Sequence, residues 1–143
     1  MFWNKSKDKH EVDVRKGYRE SGALQWEAPY VKGKKHGIVT YYHESGAIWY
    51  ETPYVNGKIH GIVRFYYKSG ALEEEIPYVN GNIHGVTKDY YRSGALWYET
   101  PYVNGRMHRI RKEYYESGAL RVKTPYKKGK EHGKKMATTS QAL

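Results

Sequence analysis

The chain has 143 residues, no cysteine, a net charge of +10 and only about 17% Val, Ile, Leu and Phe. Such a charge with so few aliphatic residues describes a disordered chain, but 16 tyrosines and 4 tryptophans restore the buried area a fold needs. Without cysteine there is no disulfide framework, thiolate metal site or thiol nucleophile, and no run of 18 apolar residues is present to span a membrane.

Residues 1–16 contain no apolar run of the kind a secretory leader has. The expectation is therefore a cytoplasmic protein, with Asn4-Lys5-Ser6 a chance match to a glycosylation sequon. This segment reads as an N-terminal cap or partial repeat, in which residues 11–19 suit a capping strand.

Residues 17–133 are a repeat array. Ser-Gly-Ala begins at Ser21, Ser45, Ser69, Ser93 and Ser117, each step being 24 residues. Pro29, Pro53, Pro77, Pro101 and Pro125 keep the same register, as do Gly33, Gly57, Gly81, Gly105 and Gly129. So do His36, His60, His84, His108 and His132, and Tyr18, Tyr42, Tyr66, Tyr90 and Tyr114. Five markers in one register define about five units.

Residues 37–60 show the grammar of one unit. Residues 37–43 are β-branched and aromatic, Glu44-Ser45-Gly46 is a turn, and residues 47–55 form a second β-like run. Asn56-Gly57 is a strong two-residue hairpin signal, because both residues tolerate positive φ. No segment between turns carries a 3.6-residue apolar period, so helix is excluded. The fold class is all-β: an elongated antiparallel meander of hairpins, advancing about 10 Å per hairpin and roughly 50 Å for five.

Parity assigns the faces. A three-residue loop at Glu44-Ser45-Gly46 pairs Tyr42 with Ile48. Ile38, Thr40 and Tyr42 then share a packed face with Ile48, Tyr50, Thr52 and Tyr54. The opposite face carries Tyr41, His43, Trp49 and Glu51, with their counterparts Phe65, Tyr67, Glu75, Tyr91, Trp97, Glu99 and Tyr115. A bulge near His60-Gly61 is expected to restore parity after the two-residue turn. Each Pro, unable to donate to a ladder, is expected to mark a regular break in the second strand.

The last unit departs from the pattern. Arg109 replaces the Gly that follows the other column histidines, and Lys127-Lys128 replace Val-Asn at the turn. Degenerate end units suit the caps of a stack. Residues 134–143 read as a flexible polar tail. Charge collects at this end: residues 106–135 hold eleven basic and three acidic side chains. The basic patch is Arg106, Arg109, Arg111, Lys112, Arg121, Lys123, Lys127, Lys128 and Lys130, continued by Lys134 and Lys135.

The segments PYVNGKIHG, PYVNGNIHG and PYVKGKKHG, each followed by an aromatic stretch and Ser-Gly-Ala, resemble the bacterial variant of the MORN repeat over about residues 17–133. The extra glycines and tryptophan of the eukaryotic form are missing. The resemblance implies a hairpin-repeat sheet without a catalytic centre. It further implies kinship with YwqK-type antitoxin-like proteins, which are thought to neutralise a toxin. Eukaryotic members are linked to scaffolding and acidic lipids.

The chemistry agrees with a binding role. The column histidines stand about 10 Å apart, too far for shared Zn–N bonds of about 2 Å, and read as turn-associated residues bonding locally. Glu27, Glu51, Glu75 and Glu99 could match a glycosidase carboxyl pair in spacing, but read as a solvated row countering basic neighbours. The Ser residues of the turns lack a nucleophile-elbow context and a fixed His partner, and no Gly-rich phosphate loop opens a helix. The expectation is no enzyme, no metal and no cofactor.

The exposed aromatics are either anchors of a protein interface or rings covered by a second layer, a partner copy or neighbouring side chains. The leading expectation is an antitoxin or immunity-type inhibitor that occludes a protein partner, a toxin or other effector of acidic character. Alternatives are binding of nucleic acid or acidic lipid through the basic end, and a scaffold that self-associates through open sheet edges.

Overall fold

The computed structural model describes residues 11–138, and every element among them is a strand of one 16-stranded antiparallel sheet. The chain runs β1 (Asp13–Tyr18), β2 (Leu24–Val31), β3 (Lys34–Lys35), β4 (Gly37–Tyr42), β5 (Ile48–Val55), β6 (Lys58–Ile59), β7 (Gly61–Tyr66) and β8 (Leu72–Val79). It continues through β9 (Asn82–Ile83), β10 (Gly85–Tyr90), β11 (Leu96–Val103), β12 (Arg106–Met107), β13 (Arg109–Tyr114), β14 (Leu120–Lys127), β15 (Lys130–Glu131) and β16 (Met136–Ala137). The hairpins β1–β2, β4–β5, β7–β8, β10–β11 and β13–β14 lie side by side in chain order, so five units form one open sheet. No helix among these residues is long and apolar enough to cross a membrane.

Both turn types follow from their residues. Asn56 and Gly57 take φ of 48° and 84°, so Val55 pairs with Lys58 across two residues, as Asn-Gly dictates. At the other end the Gly46 N–H donates to the His43 carbonyl at 2.9 Å and Gly46 adopts φ of 87°. The loop therefore has three residues, and Tyr42 pairs with Ile48 as expected.

Beyond that pair the register shifts, with Tyr41 opposite Tyr50 and Trp49 as the extra residue of a β-bulge. The same shift falls between Gly17 and Tyr18, Phe65 and Tyr66, Asp89 and Tyr90, and Glu113 and Tyr114. It corrects the face assignment. Thr40 pairs with Glu51, whereas Val39 pairs with Thr52 and Tyr41 with Tyr50. Past the bulge every side chain of the second strand therefore stands on the face opposite to the one that simple alternation gives it. Tyr50, Thr52 and Tyr54 join Tyr41, while Glu51 joins Tyr42.

The proline expectation also shifts by one strand. β5 runs unbroken through Pro53, and the interruption lies in its neighbour, between β6 and β7, where Gly61 takes φ of 118°. The Pro53 carbonyl accepts from the His60 N–H at 3.1 Å. In a strand a residue's N and C=O point the same way, so the imide nitrogen that lacks a proton faces this interruption, where no ladder bond is lost.

β1 lies within the capping strand expected over residues 11–19 and pairs with β2 in the same register as the other hairpins. At the other end β16 pairs with β14, the Thr138 N–H donates to the Arg121 carbonyl at 2.8 Å, and the Thr138 hydroxyl donates to the Leu120 carbonyl. The edge of β14 offers free backbone groups, and residues 136–138 occupy part of it. Residues 1–10 of the expected cap, including the Asn4 sequon, and residues 139–143 of the expected tail lie outside the described residues.

With all elements in one sheet, the buried residues are held within a single layer. Ala28, Val39, Thr52, Val63, Thr87, Thr100 and Thr124 are buried and belong to one row across the strands. Rows of larger side chains flank this row of small ones: Tyr54 and its counterparts on the Asn-Gly side, and Trp26, Tyr41, Tyr50, Phe65 and Tyr98 on the other. The result is a furrow whose floor is covered by aromatic walls. β-Branched residues on the floor suit the extended backbone.

Candidate binding face

The furrowed face gathers most of the aromatic residues singled out in the sequence. Tyr41 stacks on Tyr50 with ring centroids 4.4 Å apart, and Tyr50 meets Phe65 at 5.2 Å. The bulge turns Trp49 onto this face beside Tyr50, with ring centroids 5.1 Å apart in an edge-to-face arrangement, and 5.8 Å from His43. Two units on, Trp97 lies 5.3 Å from Tyr91 and 4.7 Å from Tyr98. Trp49 remains 44% exposed, Trp97 38% and Tyr115 36%. Burial and the neighbouring Tyr41 push the Tyr50 phenol up to about 12.

The acidic residues expected beside these rings, Glu51, Glu75 and Glu99, are on the other face. There they form a ladder in register: Lys16 with Glu27, Thr40 with Glu51, Arg64 with Glu75, Lys88 with Glu99 and Lys112 with Lys123. Adjacent hairpins continue it, pairing Glu51 with Arg64, Glu75 with Lys88 and Glu99 with Lys112. Charged atoms approach to 3.8 Å at Lys16–Glu27 and Arg64–Glu75, and 3.9 Å at Glu99–Lys112. The Tyr42, Tyr66 and Tyr114 hydroxyls donate to Glu27, Glu51 and Glu99 at 2.7, 2.9 and 3.0 Å. Burial, followed by the Glu27 bond, pushes the Tyr42 phenol up to about 12. Each Glu thus sits among basic side chains and phenols, which is the countered row expected from the sequence.

Two sets of clasps hold the units together. On the loop side the Arg19 guanidinium donates to the Tyr42 carbonyl at 2.8 Å, and the Tyr67 and Tyr91 hydroxyls donate to the Tyr90 and Tyr114 carbonyls at 2.6 and 2.8 Å. His43 occupies the same column, its Nε2 3.5 Å from the Tyr66 carbonyl. On the Asn-Gly side, Gly57, Gly81, Gly105 and Gly129 donate their N–H to Lys35, Ile59, Ile83 and Met107 of the preceding unit. His36 Nδ1 accepts from the Asn56 N–H at 3.3 Å, and His60 Nδ1 from Asn80 at 3.4 Å. The side chains of these two column histidines thus bond the turn of the following unit, 20 residues on, and not their own turn as expected.

The basic end does not form one patch. Arg111 lies over the Tyr98 ring at 4.0 Å on the furrowed face, and Arg121 pairs with Glu113 there at 2.7 Å. Arg109 opposes Tyr126 across β13–β14, while Lys112 and Lys123 pair on the ladder face. Arg106, Lys127, Lys128 and Lys130 cluster at the Asn-Gly-type turns.

The furrow also holds charged residues outside the candidate set. Glu74 and Asp89 stand directly opposite each other between Phe65 and Tyr98, and burial holds both carboxyls above their usual range. Asp89 adds to the rise at Glu74, whereas Arg111 opposes it at Asp89. Arg19, Lys68 and Arg92 line the loop end beside Trp49. Lys68 and Arg92 had a legible signal, since they replace Glu directly before Ser-Gly-Ala.

The family model described as MORN repeat variant matches residues 35–56, 59–80, 83–104 and 110–128. No curated protein matches the chain.

Proposed function

This chain belongs to the MORN repeat variant family, whose repeats are non-catalytic binding modules, and from that premise we propose that it inhibits a partner protein by covering it with the furrowed face. The observation that carries this reading is the set of half-exposed rings, Trp49, Trp97 and Tyr115 among them, on a face that no second layer covers among the described residues. Large rigid aromatics set among charges are what protein interfaces use as anchors. A sheet clasped at both ends presents them at little cost in conformational entropy. An antitoxin or immunity-type role follows if the covered surface is the partner's active site, and a cytoplasmic setting fits a chain without cysteine.

Affinity capture from the native host is the test, followed by an activity assay of the captured protein with and without this chain. One stoichiometric partner whose activity falls on complex formation is the expected result. A partner that stays fully active in the complex, or no partner at all, removes the reading. Nucleic acid or acidic lipid is less well supported, because the basic residues are spread over both faces and one turn edge.

A further inference from the structure

The loop end of the furrowed face holds a groove that runs across the strands. Two adjoining cavities of about 600 and 460 Å³ share His43, Trp49 and Lys68, and together extend from Arg19 in the first unit to Arg92 in the fourth. Two columns along it change between units that otherwise repeat. The bulge column reads Gln25, Trp49, Glu73, Trp97, Arg121. The column before Ser-Gly-Ala reads Glu20, Glu44, Lys68, Arg92, Glu116, so its sign reverses in the third and fourth units. Among the described residues neither Lys68 nor Arg92 is held in an ion pair.

The spacing suits one kind of occupant. Each unit contributes two strands, about 10 Å, and an extended or polyproline chain covers that distance in about three residues. In the polyproline helix, with three residues per turn, every third side chain points the same way and meets the same point of the next unit, whereas in a β-strand residues three apart face opposite sides. Resting on the binding reading above, we propose that the groove takes a partner segment in the polyproline conformation with a hydrophobic residue, an acidic residue and a second hydrophobic residue at successive spacings of three. The first lies on Trp49, the acid between Lys68 and Arg92, and the last on Trp97, which does not line the two cavities but stacks on Tyr91 in the same unit as Arg92. Glu44 and Glu73 line the same groove and repel a continuous run of phosphates, which favours a peptide with one acid over single-stranded nucleic acid.

The test uses the whole chain and fluorescein-labelled peptides centred on Leu-Pro-Ser-Glu-Pro-Ser-Leu. One control replaces Glu by Lys and another inserts a Ser after it. Anisotropy should show the first peptide binding about tenfold more tightly than either control, and W49A/W97A weakening it by about tenfold or more. K68E/R92E, two exposed charge reversals, should shift preference to the Lys peptide. Equal binding of the in-register and shifted peptides, an unmoved preference in K68E/R92E, or tighter binding of oligothymidine lost in the same variants overturns the proposal. If W49A/W97A still inhibits the partner, this groove is not the recognition site and occlusion stands. If the first peptide binds as described but no inhibited protein is captured, the groove stands and the inhibitor reading falls.

Discussion

At Arg109 the backbone takes φ of 70°, at the place where Gly37, Gly61 and Gly85 adopt 111° to 119°. Left-handed backbone costs an L-residue roughly 1–2 kcal/mol, and glycine returns part of that through its freer unfolded chain. R109G is therefore expected to stabilise the protein by about 0.5–1 kcal/mol, read as a higher urea midpoint at unchanged slope. A lower midpoint would mean that the arginine's contacts outweigh its strain. The Glu74–Asp89 pair gives a second prediction, with pH as the variable. Both carboxyls are held above their ordinary values, so the folded chain binds more protons than the unfolded one. Stability then falls as pH rises from the ordinary carboxylate range through the raised folded values. E74Q removes one charge of a directly opposed like pair, a gain of roughly 0.2–1 kcal/mol at pH 7. The gain should vanish near pH 3, where both groups are protonated in either state. Thermal unfolding of both proteins at the two pH values decides it, and a gain equal at both would mean that charge is not the cause.

Within the hairpin, what could be read from sequence was local chemistry. Asn56-Gly57 and Ser45-Gly46 specify their turns through residues that accept positive φ, and the Tyr42–Ile48 pair follows from loop length alone. The bulge at Trp49 was hidden because it is a mismatch in count between two strands, with neither glycine nor proline to mark it. It exchanged the faces of Tyr50, Glu51, Thr52 and Tyr54, so the candidate site came out as the right aromatic residues joined to the wrong carboxylates. The clasp columns were hidden for a related reason, since each side chain bonds a carbonyl 23 residues away. Their strength can be tested directly. Y67F deletes one part-buried hydroxyl-to-carbonyl bond between units, worth about 1 kcal/mol net. Y115F, in the same column but with only the short β16 beside β14 among the described residues, should cost less. Chemical denaturation of the two variants under one condition makes the comparison, and equal losses would show that the hydroxyl contributes through something other than the clasp.

Across the whole molecule, ladders, clasps and charged rows all join a hairpin to its immediate neighbours. Each unit buries only half of a shared furrow, so its stability is its own hairpin term plus one interface on each side. The end units have one such interface. At the N-terminal end, within the described residues, β1 pairs only with β2; at the other end β16 pairs with just two residues of β14. The central units have two full interfaces, and the Tyr41–Tyr50–Phe65 stack crosses one of them. Opening should therefore begin at the ends and move inward, with free energies that rise toward the middle. Native-state hydrogen exchange should show amides of β5 and β7 exchanging last and those of β1 and β14 first. V63A, which empties part of the buried floor next to that stack, should cost about 1–3 kcal/mol and lower protection in the middle of the array more than at its ends. Exchange at one common rate throughout, with V63A lowering all amides equally, would instead make the five units a single cooperative block. The groove between Trp49 and Arg92 would then owe its rigidity to the whole sheet and not to the two central interfaces.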